Sequence, residues 1–295
     1  MKVYVSGATG FVGRHVVREL RERGADVRDE RVDLLDAPGL EKAVEGCDAV
    51  VHVAALYSYD APAAELERVN VEGTRTFLEA AARRGVRRFL FTSTAGTCGP
   101  VPDGVATEED SPPPWELAVP YKRTKAASER LALEAGAVVV NPTTPVGEGD
   151  RKPTPTGAMI RGVAGGAIRG YVATTGLNVV DVRDVARGHA LALERGKAGE
   201  RYLLGGVNLG LEELFAAVAD LAGRSRPRLR VPYAFALAAA GAGFVNKDEV
   251  RLARFPMFFS SAKAERELGY RPGPVEPALA RAVREQLSLN GKGGA

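Results

Sequence analysis

A strand-like run, Lys2 to Val5, leads into Ser6-Gly7-Ala8-Thr9-Gly10-Phe11-Val12-Gly13, and a helical pattern, Val12 to Arg23, follows at once. Three glycines between a strand and a helix give a tight turn whose small residues let another molecule approach the backbone. The free N–H groups and the positive end of the helix then stabilise an anion such as a pyrophosphate. The pattern repeats along the first half. Strands are predicted at Lys2 to Val5, Ala25 to Arg28, Ala49 to Val53, Arg88 to Thr92 and Ala137 to Val140. Helices are predicted between them, at Val12 to Arg23, Leu40 to Val44, Glu65 to Arg84 and Tyr121 to Glu134. Apolar β-branched runs alternating with helices are the sequence form of βαβ units feeding a parallel sheet.

The expected fold class is therefore α/β, a Rossmann-type doubly wound parallel sheet spanning residues 1–150. After Asn141 the composition shifts: Pro142, Pro145, Pro153 and Pro155 cluster and Gly is frequent up to Gly176. A smaller, discontinuous C-terminal substrate domain is expected from 151–177 and 207–295, with 178–206 returning to the first domain and the run Asn178 to Val182 rejoining the main sheet. With 295 residues, 45% of them hydrophobic, the chain can bury a large core. The net charge of +3 is spread through mixed signs, which argues against a nucleic-acid partner. The basic run from Arg224 to Arg230 is taken as a solvated connection. Two cysteines, Cys47 and Cys98, are too few for a disulfide framework, and with no room for a signal peptide before Lys2 the expected location is the cytoplasm. The apolar stretch Val231 to Val245 is shorter than the ~20 residues of a membrane span, so no integral membrane segment is expected and a packed helix is. A homodimer is compatible with the chain.

Tyr121-Lys122-Arg123-Thr124-Lys125 places a phenol and an ammonium four residues apart, on one face of a helix begun by Pro120. A phenol with a reference pKa of ~10 is a weak acid or base at neutral pH, and a nearby cation favours its ionised form. That spacing alone is common on surface helices; its partners elsewhere in the chain give it meaning.

Taken in order, those partners resemble the extended short-chain dehydrogenase/reductases, also called the NAD-dependent epimerase/dehydratase family. The loop Gly-x-x-Gly-x-x-Gly (Gly7, Gly10, Gly13) resembles that family's phosphate loop, with Thr9, Phe11, Val12 and Arg14 beside the cofactor. Asp33-Leu34-Leu35-Asp36 looks like the acidic turn whose first residue contacts the adenine, next to Arg31. Val53-Ala54-Ala55 resembles the strand end along the cofactor, and Asn70 matches the family's helix asparagine. In Phe91-Thr92-Ser93-Thr94-Ala95-Gly96, the resemblance makes Thr94 the hydroxyl that hydrogen-bonds the reacting oxygen, with Ser93 the neighbouring alternative and Thr92 and Ser93 also at the cofactor. Asn141-Pro142-Thr143-Thr144 matches the segment flanking the nicotinamide. Tyr121 and Lys125 become the catalytic pair, and Tyr57, Thr94 and Ala95 are candidate substrate contacts.

Lys152 to Gly157, Asp181 to Ala186 and Phe258 to Ala264 further resemble bacterial hopanoid-associated sugar epimerases, which are similar to dihydroflavonol reductases. Two departures matter. The arginines with which nucleotide-sugar epimerases grip a pyrophosphate are replaced by Leu177 and by Arg254-Phe255-Pro256-Met257, which disfavours a nucleotide diphosphate sugar. The link from Gly24 to Asp33 is short, as in dehydrorhamnose reductase and GDP-fucose synthase. Arg14, Arg28 and Arg31 favour NADP there, against Asp29 and Glu30 for NAD; NADP is the expected cofactor, with NAD the alternative. The implied activity is reversible hydride transfer at a carbonyl/alcohol carbon of a small or sugar-like molecule. The alternatives are a sugar epimerase that returns the hydride and a non-catalytic cofactor-binding regulator. His15, His52 and His189 have no metal-ligand spacing, and no metal is expected. Trp115 is assigned to loop packing, with the substrate mouth as the alternative, and Tyr57, Ser58 and Tyr59 follow a strand end where relatives contact substrate.

Overall fold

The computed structural model describes residues 1–57, 61–102, 104–241 and 247–290. Ser58, Tyr59 and residues 242–245 of the apolar stretch lie outside them. Six strands, β1 (Lys2–Ser6), β2 (Asp26–Arg28), β3 (Ala49–His52), β4 (Arg88–Thr92), β5 (Val138–Pro142) and β9 (Arg201–Leu204), form one parallel sheet in the order β2-β1-β3-β4-β5-β9. Two further sheets are smaller. One joins β6 (Thr144–Val146), β8 (Gly176–Asp181) and β10 (Val207–Gly210); the other pairs β7 (Gly170–Val172) with β11 (Leu229–Val231).

The helices are α1 (Phe11–Glu22), α2 (Ala37–Val44), α3 (Ala63–Leu66), α4 (Gly73–Arg83), α5 (Pro120–Glu134) and α6 (Pro155–Ala164), followed by α7 (Val182–Arg195) and α8 (Leu211–Leu221). The last four are α9 (Tyr233–Gly241), α10 (Lys247–Leu252), α11 (Ala262–Leu268) and α12 (Glu276–Asn290). Strand side chains alternate between two helical layers, as a period of two dictates. Val3, Val5, Val51, Leu90 and Val140 meet α1 and α7 through Val16, Leu20, Ala190 and Leu193. Tyr4, Val50, Phe91 and Val139 face α2, α4 and α5 on the other side. Because both faces are covered, β3 and β5 are buried along their whole length and read as continuous apolar runs.

A second core gathers β6 and β8 with α6, α8 and α12 around Ile160, Val163, Leu214, Phe215, Leu279 and Val283. Here the expected topology needs correction. The run Asn178 to Val182 does not rejoin the main sheet; β8 pairs antiparallel with β10 and parallel with β6. The returning strand is β9, reached only after α7. Hydrophobic periodicity identifies a buried strand without naming its neighbour, and Asp181 turns the chain into α7 by accepting the Arg183 N–H at 2.9 Å. The expected packed helix within Val231 to Val245 is α9, but it lies at the surface with Phe235 69% exposed. Among the described residues no helix is long and apolar enough to cross a membrane.

Candidate active site

The sheet order reverses direction between β1 and β3, and there the phosphate loop leaves the strand ends. Gly7 has φ +70°, and a Cβ on it would stand 2.6 Å from the Ala54 nitrogen at the end of β3. Gly10 donates its N–H to Gly7 O at 2.9 Å and caps α1 in an extended conformation. A Cβ on Gly13 would collide with Gly7 O, so Gly13 sets the closeness of α1 to the loop, whereas Gly10 faces outward and is exposed. Ser6 Oγ ties the two strand ends by accepting from Val53 N and Ala54 N, both at 3.2 Å, and is 2.8 Å from His52 Nδ1. Ala54 is half-buried and Ala55 exposed beside the loop, as are the half-buried Phe11 and Val12 and the exposed Thr9. Arg14 donates to Thr9 O at 2.8 Å and to Gly10 O at 3.2 Å.

At the end of β2 the cations divide. Arg28 donates through Nη1 to Ala43 O (3.2 Å) and Glu45 O (2.9 Å), capping the end of α2, and it lines the same cavity as Arg31. Asp29 pairs with Arg21 at 3.1 Å. Arg31 is exposed and lines a cavity of about 640 Å³ with Asp33 and Asp36. Asp33 is exposed and accepts Leu35 N at 3.0 Å, while Leu34 is buried against Gly73.

Pro120, at the first position of α5, starts the helix so that Tyr121, Lys125 and Glu129 share one buried face at intervals of four. The Lys125 ammonium donates to Thr92 O at 2.9 Å and lies 4.5 Å from the centre of the Phe91 ring. Burial lowers its pKa to about 8, with Glu129 opposing the shift. Tyr121 differs from the sequence-based expectation of a depressed phenol. Burial, reinforced by Tyr57, pushes its pKa upward, and the proton-bearing form is favoured. The two tyrosine rings are 4.7 Å apart at 43°, with Tyr57 45% exposed.

Thr94 leaves β4 extended and half-buried, and its Oγ1 accepts the Gly96 N–H at 3.3 Å. Ala95 is buried. Ser93 Oγ is buried with no hydrogen-bond partner among the described residues. Asn141 closes the turn from below: its Nδ2 donates to Thr94 O at 3.1 Å and to Glu129 Oε2 at 2.7 Å, so the amide holds the hydroxyl-bearing turn. Pro142 is buried, and Thr143 and Thr144 are half-buried at the same strand end.

Several supporting residues escaped the sequence reading. Glu129 is bound by Thr97 (2.6 Å) and Arg201 (2.8 Å), and Arg201 reaches Glu108 O and Asp110 O. Glu129 could have been found from its four-residue step beyond Lys125; Arg201 comes from a distant strand and carries no local signal. Asn70 sits in a π-helical turn, Glu67–Glu72, a feature common at functional sites. The carbonyl freed by that wider turn accepts Thr74 Oγ1 (2.6 Å) and Ser128 Oγ (2.8 Å), and the Asn70 amide binds both N–H and C=O of Leu56. His189 donates through Nδ1 to Val185 O, leaving Nε2 to accept from the Thr92 hydroxyl at 3.0 Å, and no metal-binding group occurs among the described residues.

An outward-open Gly10 and a close-packed Gly13 at the sheet reversal, with the orphan Ser93 hydroxyl at the end of β4, fit a dinucleotide lying from the phosphate loop towards Lys125. The pattern of the NAD dependent epimerase/dehydratase family matches residues 3–205. The chain belongs to that family. As an extended short-chain dehydrogenase/reductase it is an NAD(P)-dependent enzyme of the oxidoreductase/epimerase type. It is 37% identical to a protein of Synechocystis sp. inferred to be a dihydroflavonol 4-reductase, over 95% of this chain and 93% of that one. It is 33% identical to sterol demethylase protein B of Methylococcus capsulatus, over 96% and 97%. The crystal structure of PA4631, a nucleoside-diphosphate-sugar epimerase from Pseudomonas aeruginosa, superposes with a TM-score of 0.83 at 29% identity, covering 99% and 98%. These relatives differ in reaction, so family membership alone does not choose among them.

Proposed function

We propose that the protein reduces a carbonyl, or oxidises the matching alcohol, of a small or sugar-like substrate, with Tyr121 as acid/base, Lys125 as its cationic partner and Thr94 holding the reacting oxygen. The observation that carries this reading is the Lys125–Thr92 hydrogen bond, which locks the Tyr121 face of α5 onto the end of β4, two residues before Thr94. A bound nicotinamide supplies or accepts the hydride. Tyr121, kept neutral by burial, gives its proton to the oxygen that becomes the alcohol. Thr94 Oγ1 already accepts the Gly96 N–H, which leaves its O–H to donate to the same oxygen. Lys125 and the buried, unpartnered Ser93 hydroxyl are suited to hydroxyl groups of a nicotinamide ribose.

NADP is the proposed dinucleotide. With Asp29 paired to Arg21, Arg28 and Arg31 on the cavity wall and the loop-bound Arg14 are the cations that would meet a 2′-phosphate. The buried, free thiols of Cys47 and Cys98 fit a reducing cytoplasm. Leu177 stands where the resemblance places a pyrophosphate-gripping arginine, and the loss of that cation supports a substrate without a diphosphate.

Carbonyl compounds and nucleotide sugars incubated with NADPH or NADH provide the test. Steady loss of reduced cofactor with a carbonyl compound is the expected result. Inversion of a sugar without net cofactor loss would replace the reductase reading with the epimerase one.

A further inference from the structure

One buried ion pair has no part in the roles assigned above. Glu116 begins a 3₁₀ turn, Glu116–Ala118, and is fully buried; Lys122 stands in the first turn of α5 and is 5% exposed. Their charged ends are 3.2 Å apart. Apart from that pairing, neither Glu116 oxygen has a hydrogen-bond partner among the described residues. A buried pair of this kind gives up much of its hydration on folding. Lys122 also places a cation at the positive end of a helix, whose first turn contains no acidic residue. Two unfavourable electrostatic choices at one spot call for a role beyond stability.

The contact made by Lys122 supplies one. Its Nζ lies so close to Gly96 that a Cβ at that position would overlap it. Gly96 is the residue whose N–H holds Thr94 Oγ1. The ammonium thus ends against the Thr94 turn, while its backbone is bonded directly to Tyr121. Glu116, six residues earlier in the chain, holds the ammonium in place.

We propose that the Glu116–Lys122 pair is a positioning device that sets the Thr94 turn against the first turn of α5, so that the Thr94 hydroxyl and the Tyr121 phenol reach one reacting oxygen. The inference rests on the catalytic reading given above. Neither side chain touches the reacting atoms: the pair acts through Gly96 on one side and the start of α5 on the other.

A mutant cycle on the full chain, assayed with the carbonyl substrate and NADPH, tests it. Lys122→Met and Gly96→Ala should each lower kcat by ~10- to 100-fold, as expected for misplaced catalytic groups, while KM and dinucleotide Kd stay within about twofold of wild type. Because the added methyl would meet the Lys122 side chain, its ammonium most closely, Gly96→Ala should have a smaller effect in the Lys122→Met background than in wild type. Glu116→Gln/Lys122→Met, which leaves no buried charge, should restore the thermal midpoint without restoring kcat, and it carries the test if Lys122→Met alone does not fold. Wild-type kcat in that folded double variant, or full additivity of Gly96→Ala and Lys122→Met, would overturn the proposal. Either result alongside an inactive Tyr121→Phe would remove the positioning role and leave the catalytic reading intact; an active Tyr121→Phe would remove the reading beneath it.

Discussion

Lys125 Nζ and Thr92 O are 2.9 Å apart, and this hydrogen bond joins the helix that carries Tyr121 to the strand that leads to Thr94. The ammonium is also the titrating group nearest neutrality in the site, with its pKa lowered to about 8 by burial. Its cationic form is the one proposed to hold a ribose hydroxyl, so the reductive rate should be constant below that value and fall as pH rises through it. Lys125→Met should weaken dinucleotide binding, lower turnover by ~10²-fold or more and remove this basic limb. A limb that persists in the variant would assign the titration to another group.

The phosphate loop makes two glycines separable. Gly10→Val should abolish dinucleotide binding with little change in thermal midpoint, because within the protein its Cβ would meet only Gly7 O, at 3.1 Å. Gly13→Val should unfold or strongly destabilise the protein, since Gly7 O occupies the space its side chain needs. Titration calorimetry and thermal melts on both variants check this pair. Equal affinity in a folded Gly10→Val protein would remove the loop from the cofactor site.

Two buried histidines set the acid limit of stability. Burial holds His52 near a pKa of about 3 and His189 near about 4, against 6.5 for the free side chain. Both folded values are depressed, so the unfolded chain binds more protons below pH 6.5. The stabilisation is complete above that value and is lost as pH falls towards 4 and then 3. For His189 the shift corresponds to something on the order of 3 kcal/mol. Urea midpoints measured from pH 7 to 4 should fall steeply, and His189→Gln, though less stable at pH 7, should show a shallower fall. A flat wild-type profile would contradict the neutral, buried imidazoles.

How much of this was legible in the sequence depends on the range of each signal. Strands β1 to β5 and helices α1, α2 and α5 emerged within a few residues of their ends, because burial on both faces writes apolar runs that a local window detects. The single helix expected from Glu65 to Arg84 is α3, a π-helical turn and α4 in succession. The pairing of β8 with β6 and β10 was missed, since a strand's own residues say nothing about its partner. Arg28, the last residue of β2, also caps α2 through two carbonyls 15 and 17 residues further along the chain, which no local window reveals. The Tyr121 phenol was expected to be depressed by Lys125, but spacing on a helix conveys proximity and not burial, and burial wins. From the sequence Lys122 has no assigned role; the packing of its ammonium against Gly96 is visible only in the structure.

The central claim is that the Tyr121 phenol carries the proton, and Tyr121→Phe tests it most directly because the ring stays while the acid goes. The measurement is single-turnover reduction of a carbonyl substrate by NADPH, with dinucleotide affinity determined on the same sample. The account predicts unchanged affinity and a rate lower by ~10²- to 10⁴-fold, the usual loss for a general acid. Near wild-type turnover by the folded variant would show that the proton reaches the oxygen by another route.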